Sequence, residues 1–448
     1  MTDLRAKMAE LLPGVLSDLR DLVAIPSVSS LPERQGDVDR SAAAVASLLR
    51  QVGCPDVQIV REGGQPAVIG RFPAPEGAPT VCLYAHHDVQ PTGDPAAWAS
   101  DPFTVTERDG RLYARGVVDD KAGIGVHLAA LRAFDGTPPV GITVFVEGEE
   151  EIGSPSLTAT LAAHQQALRA DAYIICDSAN WQVGTPAFTT TLRGLADVVV
   201  EVTTLDHALH SGQYGGPVPD ALTVLARLLA TLHHEDGRVA VAGLGADPEP
   251  AVDYPAERMR AESGVLEGVE LVGSGSLASR VWSQPAISVL AIDAPMTANA
   301  SNTLASTARA KVSVRVAPTA SAADALAALK AHLSAQALWG AQVSFGAETH
   351  ADGTAVATDG VIATAAREAF AAAWDTAPVM MGQGGSIPLV AALRELAPTA
   401  EILVTGVCDP DSRMHGIDES LDLGDFGRAC LAEADLLRRL AATTELLP

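Results

Sequence analysis

Carboxylates and histidines recur in this chain at the ends of apolar runs. His86 and Asp88 follow TVCLYA, Asp119 and Asp120 lie in ARGVVDDKAG, and Glu150 and Glu151 follow ITVFVEG. Asp177 follows AYIIC, and His415 lies in a loop beyond EILVTG. Two imidazoles with several carboxylates form the donor set of paired divalent metals. An adjacent Glu-Glu offers one ligand and one proton carrier, the pair a hydrolase needs.

Each residue also has a plainer reading. In extended chain His86 and Asp88 share a face, so Asp88 either orients a metal-binding imidazole or makes a surface His-Asp turn. One of Asp119 and Asp120 suits a helix N-cap, yet two would be redundant, and a carboxylate with two oxygens bridges metals roughly 3.5–4 Å apart. Adjacent glutamates diverge, so one binds metal while its neighbour faces the attacking water, their pKa values pushed apart. Asp177 ends a strand-like run, where a charge needs a partner or a metal. His415, in PDSRMHGIDES, would alone be an ordinary surface histidine. His210, in HSGQYGG, is a turn residue or a group that polarises a scissile carbonyl. Arg315, in VSVRVAP, is a strand residue or a carboxylate clamp. There is no GxSxG elbow or Walker A loop, and GIGVHLA lacks the third glycine of a dinucleotide fingerprint.

The elements that must position these groups alternate. Helical spacing covers 3–23, 39–52 and 121–134, and strand-like runs fall at 67–72, 80–85, 142–147 and 172–176. This order predicts an α/β layer with a mostly parallel mixed sheet flanked by helices. From about Leu192 the pattern changes to strand LADVVVEVTT, helix 219–234, a polar stretch over 235–285, strand ARAKVSVRVAP, helix ADALAALKAHLSAQ and strand AQVSFGAE. That order fits an inserted ferredoxin-like α+β domain. The expected division is 1–191 with 351–448 for a catalytic domain and 192–350 for a lid and dimerisation domain. In open α/β sheets, ligands gather beyond the carboxyl ends of the strands, where most of the acids and His86 fall.

A chain of 448 residues exceeds one ordinary core, which agrees with two domains. Thirty basic against 55 acidic residues give a net charge of −25, which disfavours nucleic acid and anionic membranes as partners. No uncharged apolar run approaches transmembrane length. The five cysteines, an odd number without a CxxC pair, read as buried reduced thiols in a cytoplasmic protein.

Taken together, LRDLVAIPSVSS, YAHHDVQP, YARGVVDDKAG, EGEEEIGSP, HSGQYGGPVPDA, GQGGSIP and PDSRMHGIDES resemble the M20 metallopeptidase family over nearly the whole chain. The family groups carnosinase-like dipeptidases, glutamate carboxypeptidases, succinyl-diaminopimelate desuccinylase and acetylornithine deacetylase. The resemblance implies two divalent ions, zinc first and Mn²⁺ or Co²⁺ as substitutes. One would be held by His86, Asp119 and Asp177, and the other by Asp119, Glu151 and His415. Glu150 is implied as general base acting on a metal-bridged hydroxide, with Asp88 orienting His86. In dimeric members the histidine matching His210 reaches into the partner's active site to stabilise the oxyanion, Asn302 would contact the substrate carbonyl, and Arg315 with Gly385 and Ser386 would hold a free C-terminal carboxylate. A cis bond is implied at Asp119–Asp120, and a homodimer through the inserted domain. GGSIP points to dipeptides or short peptides. Asn302 points to the alternative, an N-acyl-amino-acid deacylase or desuccinylase. A reading of a different class is a catalytically inactive binding or scaffold homologue, against which the complete ligand set speaks. Departures such as Ala114, Ala122, Ala208, Gln383 and Asp418 remove no ligand and bear on substrate.

Overall fold

The computed structural model describes residues 2–385 and 388–442. Helices α1 (Thr2–Val23) and α2 (Gln35–Gln51) precede strands β1 (Asp56–Val60), β2 (Ala67–Phe72) and β3 (Thr80–His86). Helix α3 (Lys121–Arg132) and strands β4 (Gly141–Glu147) and β5 (Ala172–Cys176) follow. The chain continues through β6 (Gly194–Thr203), α4 (Ala221–Ala230), β7 (Ala286–Asp293), β8 (Thr307–Val316), α5 (Ala322–Ala335) and β9 (Gln342–Ala351). It ends with α6 (Val361–Trp374), β10 (Glu401–Thr405) and α7 (Leu423–Leu440). Two compact units result: Met1–Thr190 with Val356–Met381 and Pro388–Pro448, and Thr191–Ala355 with Gly382–Ile387.

In the first unit a six-stranded sheet runs β1-β2-β4-β3-β5-β10. The β4, β3, β5 and β10 neighbours are parallel, while β1 and β2 join antiparallel. Strands β3, β4 and β5 are buried along almost their whole length, as central parallel strands are, and so read as continuous apolar runs. Helix α1 packs Met8, Val15, Leu19 and Leu22 into the core on one face. The parallel strands end together, and this common end carries the acids and His86.

The second unit is a four-stranded antiparallel sheet in the order β7-β8-β6-β9, with α4 and α5 packed on it. The βαββαβ order and this strand arrangement are ferredoxin-like. Alternate residues Ala196, Val198, Val200 and Val202 of β6 are buried with Leu225, Leu228 and Leu329.

Strand β7 has no counterpart in the sequence reading, because its apolar residues do not alternate. Val289, Leu290 and Ile292 are all exposed on this edge strand. The stretch 235–285 contains two short helices, Ala256–Ser263 and Leu277–Trp282. Helix α2 starts four residues earlier than its apolar spacing indicates, through the polar turn Gln35-Gly36-Asp37.

Candidate metal centre

His86 is the last residue of β3 and is fully buried. Its Nδ1–H donates to the Asp88 carbonyl at 3.0 Å, and Asp88 Oδ1 lies 3.4 Å away. Nε2 lies 3.1 Å from Asp119 Oδ1 and 3.8 Å from Asp177 Oδ1, where in the neutral ring its lone pair would meet an ion held by those carboxylates. The other oxygen of Asp119 lies 3.0 Å from His415 Nε2, which in turn lies 3.1 Å from Glu151 Oε2. Asp119 therefore faces one imidazole with each oxygen. Glu150 lies in one cluster with His86 and Asp177, their donor atoms all within 4.8 Å of one another. Another such cluster is His86, Asp119 and Glu151.

Local structure sets these positions. Asp88 Oδ1 and Oδ2 accept the backbone N–H groups of Glu150 and Glu151, both at 3.2 Å, and so fix the turn after β4. Gln90 Nε2 donates to Glu151 Oε2 at 2.8 Å. Glu149, the third acid of the run, faces elsewhere and accepts from the Gln65 and Ser156 backbones. Asp120 immediately precedes α3, and its carboxylate accepts the His86 N–H at 3.2 Å. The Asp119–Asp120 peptide is cis. Gly116 adopts φ +76°, and a Cβ there would run into the Val89 side chain, so only glycine fits. His415 is held in the left-handed region at φ 62°, an uncommon conformation for a residue with a Cβ.

The electrostatics are those of a cation site. Burial alone would favour neutral His86, but Asp119, Asp177 and Asp88 outweigh it and hold the imidazole well above its ordinary pKa. Hydrogen bonds to Asp119 and Glu151 push His415 up to about 10. Burial pushes Glu150 up to about 7; Glu151, Asp119 and Asp88 add to this and His86 opposes it. Burial likewise drives Asp177 well above the usual carboxylate range. Such crowding is relieved by divalent cations, for which deprotonated carboxylates and neutral imidazole are the fitting donors. Two donors on one tetrahedral Zn²⁺, each about 2.0–2.1 Å from it, lie roughly 3.3 Å apart, close to the separations here.

Of the sequence-derived site residues, His86, Asp88, Asp119, Glu150, Glu151, Asp177 and His415 come together in the first unit. His210, Asn302, Arg315 and Gly385 belong to the second unit. There His210 pairs with Thr303 across two short strands, and the Ser211 N–H donates to the Asn302 carbonyl at 2.9 Å. His210 Nδ1 accepts from Gly212 N at 3.1 Å, so the ring also serves the turn that its glycines suggest. Arg315 lies near Arg193, whose pKa falls to about 10, through burial first and then through Arg315. The sequence carries no separate signal for Gln90, which holds Glu151, or for Arg115 and Glu419, which hold the backbones of His415 and Asp119. Ser386 lies outside the described residues.

The model of peptidase family M20/M25/M40 matches residues 82–439. The chain is 34% identical over 436 residues to a cysteinylglycine-S-conjugate dipeptidase of Corynebacterium striatum, covering 94% of each chain. It is 27% identical over 457 residues to a Cys-Gly metallodipeptidase of Candida albicans, covering 94% of this chain and 93% of the relative. The structure of human carnosine dipeptidase 1 superposes with a TM-score of 0.82 at 24% identity, covering 98% of both chains, a likeness of fold.

Proposed function

The chain belongs to peptidase family M20/M25/M40, and on that premise we propose that it hydrolyses dipeptides or short peptides with a free C-terminal carboxylate, using two divalent ions. The observation that carries this reading is Asp119, which offers one oxygen beside His86 and the other beside His415. We assign His86, Asp119 and Asp177 to one ion and Asp119, Glu151 and His415 to the other, with zinc the best match to these donors. When bound, the ions would polarise the scissile carbonyl and lower the pKa of the attacking water.

The side chains do the rest. Glu150 takes the proton that the attacking water releases and returns it to the leaving amine as the C–N bond breaks. Asp88 holds His86 in the tautomer that binds metal and fixes the turn that carries Glu150. His210 and Asn302 are assigned to the developing oxyanion. Arg315, with Gly385 and Ser386, is assigned to the substrate carboxylate.

The Corynebacterium relative's name favours the dipeptidase reading over the deacylase one and makes Cys-Gly and its S-conjugates the first substrates to try. We also assign the second unit as lid and dimer surface. Its exposed edge strand β7 presents Val289, Leu290 and Ile292, with Met296 beyond it.

The test is hydrolysis of dipeptides and N-acyl-amino acids by zinc-reconstituted wild type and Glu150→Gln. Dipeptide turnover should fall roughly 10²–10⁴-fold in the variant while both ions stay bound. Turnover of acylated amino acids alone would move the chain to the deacylases. An unimpaired Gln variant would remove Glu150 from the chemistry.

A further inference from the structure

Behind the ligands lies a buried ion pair that binds no metal in the assignment above. Arg115 Nη1 donates to Glu419 Oε2 at 2.6 Å, and both side chains are almost wholly out of solvent. Glu419 is used to capacity. Oε2 also accepts the Gly116 N–H at 3.0 Å, and Oε1 accepts the N–H groups of Val118 at 3.1 Å and Asp119 at 3.2 Å. The segment that delivers Asp119 is thus wrapped around one carboxylate. The other nitrogen of the same guanidinium, Arg115 Nη2, donates to the carbonyls of His415 at 3.1 Å and Gly416 at 3.0 Å.

The two halves of the centre differ in what else supports them. His86 is anchored through its own Nδ1 to the Asp88 carbonyl and through its N–H to Asp120. His415 sits on a loop in the left-handed conformation, its side chain half exposed. Its backbone is held to the Asp119 segment by Arg115. A planar guanidinium that serves a carboxylate and two carbonyls at once has no substitute in a lysine ammonium.

We propose that Arg115, held by Glu419, is a positioning residue that sets His415 against Asp119 and thereby governs chiefly the affinity of the metal position that uses His415 and Glu151. This inference rests on the two-metal reading. Loosening the brace moves a ligand without removing it, an effect of roughly 10–100-fold in metal affinity. The His86 position shares Asp119, so Glu419 bears on both positions through the Asp119 N–H, whereas Arg115 reaches the His415 loop directly.

The test is calorimetric titration of the metal-free full chain with Zn²⁺, comparing wild type, Arg115→Lys, Glu419→Gln and His415→Ala, each checked for native circular dichroism. His415→Ala identifies which binding step belongs to its half. In Arg115→Lys that same step should weaken roughly 10–100-fold while the other changes less, and Glu419→Gln, which also releases the Asp119 N–H, should weaken both. If Glu419→Gln fails to fold, Arg115→Lys, which keeps the buried charge, decides. In Arg115→Lys, wild-type affinity at both steps overturns the proposal, and so does equal weakening of both, which is what a merely structural pair gives. A wild type that takes up fewer than two ions overturns the two-metal reading itself, a failure visible before any variant is measured.

Discussion

Asp88→Asn should weaken metal binding roughly 10–100-fold without removing a ligand, which is about 1.4–2.8 kcal/mol. The magnitude follows from what the carboxylate does. It is fully buried, and each oxygen accepts a backbone N–H, from Glu150 and Glu151, both at 3.2 Å. Asparagine keeps the shape but presents an amino group to one of those N–H groups, so one buried donor loses its acceptor. A hydrogen bond to a charged group contributes about 1.5–3 kcal/mol. The negative charge 3.4 Å from His86 Nδ1 also goes, and with it part of the basicity of that ring. The turn that carries Glu150 and Glu151 loosens as well, so activity falls even when metal saturates. Competition with a chromophoric chelator measures the affinities, and urea unfolding of the metal-free protein measures the stability loss. An Asn variant that binds both ions as the wild type does would refute the reasoning, because Asp88 would then be no more than a buried turn residue.

Two further outcomes are expected. Burial pushes the Cys82 thiol from near 9 up to about 12, so above pH 9 the folded state keeps a proton that the unfolded chain releases. Stability is therefore lost as pH rises from about 9 to 12, by about 1.4 kcal/mol per pH unit from this group. In chelator-treated protein, Cys82→Ala should flatten the alkaline fall in the urea midpoint, and equal slopes would sink the assignment. For the proposed dimer, Leu290→Glu places a charge on the exposed edge strand and should yield monomers by light scattering at micromolar concentration. A wild type that is already monomeric, or a variant that stays dimeric, would exclude β7 as the interface.

Of the proposed ligands, His86 and Asp177 were legible because a buried parallel strand cannot end in a polar group without giving it a partner. TVCLYA and AYIIC announce the burial, and the polar residue that follows each is forced to the sheet's carboxyl edge. The same logic located the second unit's main strand, where Ala196, Val198, Val200 and Val202 alternate. It could not find β7, whose apolar residues lie exposed on both faces. In EGEEE it could not say which acid turns away, because the strand gives way at Glu147 to an irregular turn and a short 3₁₀ helix at Glu150–Ile152. Glu149 is separated from its neighbours only by the Gln65 and Ser156 groups that claim it.

The Arg115–Glu419 pair shows a deeper reason why positioning residues escape a sequence reading. A ligand is chosen by its own chemistry, so a histidine after a buried strand is conspicuous wherever it falls. A brace is chosen by what it joins, and the residues it joins are 304 apart. Neither member has a pattern of its own: Arg115 sits in YARG beside a glycine that turns the chain, and Glu419 precedes a short buried strand in a loop rich in acids. The carboxylate is well placed only because Gly116, Val118 and Asp119 all direct their N–H groups at it, a convergence that exists only after folding. The donor atoms of a metal centre are thus written locally, while the tolerance to which they are held is set by contacts between distant segments. Variants of the brace should therefore separate affinity from ligand identity in a way that no substitution of a ligand can.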